Sequence, residues 1–202
     1  MEIVGITTPE RKQQQVSLEI QLQDLGYNFD WHVAEQINGS VRAHGKKYAG
    51  KKLALLRAWA QILRKYDGAE HLLVLEDDVH LHGVDEISKV IKALNNEFAD
   101  KKTNLVALGG KGVDERDYPS IEYAPEDSDY RLIAGKWTGN IANLVTERGI
   151  NWLAKRINGA DEHMLKLIYK HKAIDLTWSM WPGFYRLAEP LAIHIDKEYW
   201  SE

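Results

Sequence analysis

The chain has 202 residues, 44% of them hydrophobic, and only five prolines, which is enough to bury a real core and falls within the size of one domain, spanning 1–202. Its formal net charge is −4, and no Lys/Arg stripe with interleaved aromatics runs along it, which argues against nucleic acid as the main partner. It has no cysteine, so disulfides, zinc–thiolate sites and thiol nucleophiles are excluded.

In chain order, Ile3 to Thr7 reads as a short apolar strand. Pro9 then suits the first turn of a helix carrying Leu18, Leu22 and Leu25 on one face, with Gly26 as its stop. The apolar run at the N-terminus meets polar residues by Thr7, too early for a signal peptide. No stretch reaches the ~18 apolar residues of a transmembrane helix, so the expectation is a cytoplasmic protein. After an extended segment at Phe29 to Val33, a polar loop carries Arg42, His44, Lys46 and Lys47. Leu56, Trp59, Ala60 and Leu63 then have amphipathic-helix spacing, closed by Gly68. His71 to Leu75 is a continuous apolar run, the pattern of a strand buried on both faces. A helix from about Val84 to Phe98 follows, then a strand at Asn104 to Leu108 closed by Gly109 and Gly110, and a loop from Lys111 to Asp129. Ile141 to Val145 is again strand-like, and Thr146 is placed to cap a helix through Ile157.

Strands alternating with helices predict an α/β fold around a mostly parallel central sheet flanked by helices. In such sheets ligands bind beyond the carboxyl ends of strands. That is where Glu76, Asp77 and Asp78 follow the apolar run. Three adjacent carboxylates repel one another and need positive compensation. A hard divalent cation, Mn²⁺ or Mg²⁺, is one source, held by oxygen ligands while a diphosphate fills its open positions. Strand alternation places Glu76 and Asp78 on one face and Asp77 on the other. Asp78 is therefore the first candidate for direct metal ligand, with Glu76 assisting and Asp77 turned away. Salt-bridged acids at a solvated strand end are the bland alternative.

The segment GKKLALLRAWAQILRKYDGAEHLLVLEDDVHLH resembles the core of glycosyltransferase family 25, the lipooligosaccharide and procollagen galactosyltransferases. There a helix that opens with glycine and carries a tryptophan nine residues on precedes an apolar strand ending in Glu-Asp-Asp; Gly50, Trp59 and Glu76-Asp77-Asp78 occupy those places. Glu10-Arg11-Lys12 resembles the family's early arginine motif, LVALGG its glycine-closed strand, and TGNIANLVTERGI its Gly-x-x-Ala-Tyr segment. Ala173-Ile174-Asp175 and Glu189-Pro190-Leu191-Ala192 are similar to its late Pro-x-Asp and Pro-x-x-Ala elements. The chain departs from the family at Ala54-Leu55, where a Ser-His pair is expected, at Asn143 in place of tyrosine, and at Ala173 in place of proline.

The resemblance implies a GT-A fold, a nucleotide-diphospho-sugar transferase domain that takes a divalent metal, a UDP-linked hexose donor and a hydroxyl of a glycan acceptor. Within that reading, Thr7, Thr8 and Arg11 after the first strand would contact the nucleotide, Lys51 at a helix start suits its diphosphate, and Glu76 and Asp77 complete the donor contacts. His194 in IHID would complete the metal shell, as a late histidine does in several GT-A families. The aromatic stretch TWSMWPGFY offers Trp178 and Trp181 as an acceptor platform for the apolar face of a pyranose, or else closes a core. Asp175, just before it, is the candidate general base. Two rival readings are another metal-dependent phosphate-ester enzyme, such as a nucleotidyltransferase, and a catalytically inactive nucleotide-sugar-binding module. The first lacks any P-loop, Gly-x-Gly-x-x-Gly or Asp-x-Asp-Gly-Thr pattern.

Overall fold

The apolar run at the centre of the sequence is the centre of the molecule. In a computed structural model, which describes residues 1–23, 29–43, 46–82, 85–112, 120–126, 128–139, 141–157, 165–166 and 174–194, Leu72, Leu73, Val74 and Leu75 are each at most 1% exposed. Leu72 and Val74 enter one hydrophobic cluster and Leu73 and Leu75 another, as period-2 alternation requires of a strand covered on both faces.

The elements around that strand come in the following order. The first half comprises β1 (Glu2–Thr7), α1 (Lys12–Leu22), β2 (Phe29–Val33), β3 (Ser40–Ala43), β4 (Lys46–Ala49), α2 (Gly50–Lys65), β5 (His71–Glu76), β6 (Val79–Leu81) and α3 (Glu86–Asn96). The second comprises β7 (Leu105–Ala107), β8 (Lys111–Gly112), β9 (Ile121–Tyr123), β10 (Leu132–Ala134), β11 (Trp137–Thr138), β12 (Ala142–Thr146), α4 (Glu147–Ile157), α5 (Ile174–Trp178), β13 (Phe184–Leu187) and β14 (Ala192–His194).

Eight strands form one sheet in the order β2-β1-β5-β12-β7-β13-β10-β9. Six run in one direction, while β12 and β10 run against their neighbours. The mostly parallel α/β architecture expected from the alternation of elements is therefore present, with β12 reversed beside β5, pairing Ala142 with Leu75. Helices α2 and α4 cover one face through Leu53, Leu56, Leu63, Ile150 and Leu153. Helices α1 and α3 cover the other through Leu18, Leu22, Ile87, Val90 and Leu94. Each such side chain taken from water contributes about 1.5–3 kcal/mol before entropy is counted, so the two layers are what hold the sheet edge in place.

Local signals place the element ends. Thr146 Oγ1 accepts the Gly149 N–H at 3.1 Å, the expected cap of α4. Helix α1 starts at Lys12 rather than at Pro9, because Thr8 to Arg11 first closes a turn in which the Arg11 N–H donates to the Thr8 carbonyl at 3.1 Å. Leu25 and Gly26, expected to close that helix, lie outside the described residues, as does His44. The polar stretch expected as a loop at Arg42–Lys47 is instead the antiparallel hairpin β3–β4, pairing Val41 with Tyr48. Its charged residues hid a strand whose exposed edges need no apolar alternation. The expected loop Lys111–Asp129 likewise carries β8 and β9. Among the described residues no helix is long and apolar enough to cross a membrane.

Candidate functional site

Strands β1 and β5 are parallel neighbours with Ile6 opposite Glu76, so Thr7 at the end of one meets the acids at the end of the other. The chain turns at Asp77 and Asp78 immediately after Glu76, which ends strand alternation. Asp77, expected to face away, is instead drawn under β1: Thr7 Oγ1 donates to Asp77 Oδ2 at 2.6 Å, and Arg11 Nη1 donates to Asp77 Oδ1. Arg11 Nη1 also reaches Asp78 Oδ2 at 3.3 Å. Gln15, one helical turn on from Arg11, donates to Thr7 Oγ1 at 3.0 Å and to the Thr8 carbonyl at 3.3 Å, fixing the hydroxyl that holds Asp77.

This network answers the charge problem posed by three consecutive carboxylates. Asp77 is 2% exposed and Asp78 8%, while 38% of the Arg11 side chain remains open to solvent. Burial pushes the Asp77 carboxyl above its ordinary value, opposed by the Thr7 hydroxyl and the Arg11 guanidinium. For Arg11, burial disfavours the charge, but Asp77 and Asp78 together outweigh it and the guanidinium stays firmly protonated.

Beside the network lies a cleft of about 310 Å³. Thr7, Thr8, Arg11, Lys51, Glu76 and Asp77, the six side chains named from the sequence as donor contacts, all line it. Another wall, beside Glu10, is the segment Ala34 to Asn38 after β2, tethered by an Ala34 N–H donated to the Thr7 carbonyl at 2.8 Å. Sequence reasoning missed that wall, since nothing in AEQIN marks it except its place after a strand. Helix α2 opens onto the same cleft. Lys51, Ala54 and Leu55 line it; the first turn contains no acidic residue and no side chain caps it, and the Gly50 N–H donates to the Gly39 carbonyl at 2.9 Å. Gly50 is required there because a Cβ would lie 2.1 Å from the Ile37 carbonyl oxygen.

The other expected residues are placed less uniformly. Among the described residues, no group of three His, Asp or Glu side chains converges as a metal cage. The donor set at this edge, Glu76 and Asp78, consists of hard carboxylate oxygens. Such oxygens are the donors a Mn²⁺ or Mg²⁺ ion takes; Glu76 lines the cleft, whereas Asp78 is not among its lining residues. His194 stands opposite Val79 in the β14–β6 pair, next along the chain from Asp78; its side chain lies outside the described residues. The backbone of Asp175 is in α5, which packs on β11, and its side chain is likewise not described.

The two tryptophans do not form an acceptor platform beside the acids. Trp178 is 1% exposed and stacks edge-on to Trp59 at 4.8 Å, closing the core. Its ring offers no face to a sugar. Trp181 precedes β13, whose first residue pairs with the first residue of β7. It therefore lies at the amino ends of the parallel strands, across the sheet from the acids. The dense aromatic stretch was ambiguous between core and platform, and burial decides for core at Trp178.

No protein-family model matches the chain, and no curated protein matches it. Among solved structures, it is similar to A197 from STIV, at 14% identity over 98% of this chain and 86% of that one, with a TM-score of 0.52. It is also similar to a glycosyltransferase involved in the glycosylation of the major capsid of PBCV-1, at 13% identity over 96% and 93% with a TM-score of 0.45. A third is mannose-1-phosphate geranyltransferase from Thermus thermophilus, at 11% over 95% and 75% with a TM-score of 0.42. The likeness to A197 is one of fold.

Proposed function

We propose that the chain is a glycosyltransferase that takes a nucleotide-sugar donor, a UDP-linked hexose, in the cleft at the carboxyl ends of β1 and β5 and transfers the sugar to a hydroxyl of a glycan. The observation that carries this reading is the convergence on one cleft of a guanidinium, a lysine and the carboxylates at the end of β5, supplied by Arg11, Lys51, Glu76 and Asp77. A nucleoside diphosphate presents matching chemistry, with anionic phosphates for the cations and ribose hydroxyls for the carboxylates. The resemblance of GKKLALLRAWAQILRKYDGAEHLLVLEDD to the galactosyltransferase core supports the same reading.

The chemical demand is a good leaving group. As the glycosidic bond to the diphosphate breaks, negative charge grows on the departing phosphate, and donors already aimed at it lower the barrier without reorganising. Arg11 is held by Asp77 and Asp78 and is still partly open to the cleft, so its remaining N–H groups are pre-aimed at that charge. Lys51 adds a second cation to the same cleft. Asp78 and Glu76, with His194, would hold a Mn²⁺ or Mg²⁺ ion, which would supply further neutralisation of the charge on the leaving diphosphate. Asp175 is the proposed general base that accepts the proton of the attacking hydroxyl.

Calorimetric titration of UDP with and without Mn²⁺ tests the site. Wild type is expected to bind UDP more tightly with Mn²⁺, and Asp78→Asn to lose that increment, since a neutral amide is a poor ligand for a hard dication. UDP binding that ignores Mn²⁺ in wild type refutes the metal's role, and no binding of UDP, GDP or CMP in either condition refutes the donor site.

A further inference from the structure

On the opposite edge of the sheet the structure forms a second, larger cavity of about 860 Å³. Aromatic side chains line it from both faces of the sheet, Trp152, Trp181 and Phe184 on one and Tyr123 and Tyr185 on the other. Its rim is cationic, with Lys101, Lys102, Lys136 and Arg148, and no acidic side chain lines it among the described residues. In a chain of net charge −4 such a local excess of positive charge has to be assembled; these four residues come from three separate stretches. Strand β5 is six residues long, so at ~3.3 Å per residue this edge lies ~20 Å from the acids.

The cavity is built rigidly. Asn104, 1% exposed, donates from Nδ2 to the Pro182 carbonyl at 2.8 Å and accepts the Arg148 Nε–H on Oδ1 at 3.1 Å, locking one rim residue to the segment before β13. Gly183 lets that segment close onto the rim: its φ is +76°, and a Cβ would meet Asn104 Nδ2 and the Lys102 carbonyl oxygen, both at 2.7 Å. Lys101 lies 4.6 Å over the Tyr123 ring and pairs with Asp100 at 2.9 Å, so its own charge is partly balanced. Lys102 is the sole non-glycine residue with positive φ among those described, at 50°. Glycine or asparagine would adopt that conformation at lower cost, yet the position carries a cation at the cavity mouth.

We propose that this groove binds an anionic oligosaccharide, carrying uronate carboxylates or phosphates, as a site separate from the donor cleft. Carboxylates or phosphates along a saccharide match the cationic rim, and such a chain can be held through its charged groups without an open aromatic face. Single-stranded nucleic acid fits less well. Successive bases need open aromatic faces, whereas Phe184 is 1% and Tyr185 7% exposed, and one face of Trp152 is covered by the Arg156 guanidinium at 4.1 Å. The proposal does not depend on the donor-cleft reading, and the two fail separately.

The test is a titration of the full chain with tetragalacturonate, followed by tryptophan fluorescence and by calorimetry. Wild type is expected to bind at low ionic strength, with Trp152 and Trp181 reporting, and to weaken as salt screens the rim. Maltotetraose, neutral and of equal length, is expected not to bind. Lys102→Gly removes a charge while relieving the left-handed backbone, so it keeps the fold; combined with Lys136→Gln it is expected to weaken binding roughly tenfold or more. UDP should not displace the saccharide. Any of four results overturns the proposal: no tetragalacturonate binding at low salt, equal binding of maltotetraose, affinity unchanged in the double variant, or displacement by UDP. Tighter binding of an eight-residue oligo-dT would overturn it in favour of nucleic acid.

Discussion

Arg11 reaches two carboxylates 66 and 67 positions away along the chain, and its value at the site comes from being held there. A solvated arginine would lose side-chain entropy on meeting a phosphate; one already clamped by Asp77 and Asp78 loses little of it. Arg11→Ala is expected to weaken UDP binding by roughly 1.5–3 kcal/mol, the range for a charge-assisted hydrogen bond. It also leaves Asp77 buried with Thr7 as its remaining named partner, so a lower melting temperature should accompany the loss. Arg11→Lys separates the two effects, because a lysine restores charge without the planar fork. If UDP affinity measured by calorimetry is unchanged in Arg11→Ala, the guanidinium serves the acid pair and not the ligand.

At the scale of the element, helix α2 shows why its first residue cannot carry a side chain. In an exposed helix, glycine to alanine gains about 1 kcal/mol from helix propensity. At position 50 the added Cβ would lie 2.1 Å from the Ile37 carbonyl oxygen, a backbone atom that cannot rotate away, and overpacking of this kind costs typically 1–3 kcal/mol. The clash wins. Gly50→Ala should lower stability in urea melts, and because Ile37 and Asn38 line the cleft, it should weaken UDP binding as well. A stabilised Gly50→Ala protein would show that the Ala34–Asn38 wall yields freely and does not shape the site.

For the whole molecule, buried histidines set an acid limit. His71, 5% exposed at the start of β5, is held below the usual histidine value by burial, with Glu70 opposing. His32 in β2 is lowered chiefly by burial and then by Lys65, with Asp30 opposing. A depressed histidine pKa means that the unfolded chain binds the proton more readily. The stability these groups contribute is therefore complete above the unfolded value of about 6.5 and is lost as pH falls from there toward their folded values. Melting temperature should be flat from pH 8 to about 7 and decline below about 6.5. His71→Gln should flatten part of that decline, and an equal slope in the variant would assign it to other groups.

The sequence by itself determined the strand at His71–Leu75, the α/β alternation, the cap at Thr146 and the placing of Thr7, Thr8, Arg11, Lys51, Glu76 and Asp77 near one sheet edge. These follow from local rules: apolar runs, capping residues, and the fact that residues just after parallel strands gather at the carboxyl edge. It could not determine which way the acids face, because strand alternation ends where the chain turns at Asp77, and the partner that draws Asp77 inward sits on another strand. Nor could it separate core from platform among the tryptophans, since a ring reads the same in either role until its neighbours are known. The cationic groove was invisible for the same reason. Lys101, Lys102, Lys136 and Arg148 form no stripe along the chain, and only the pairing of β13 with β7 and β10 brings them around one cavity. Charge and stacking act through space, so a site made of distant segments exists only once long-range strand pairing has formed it.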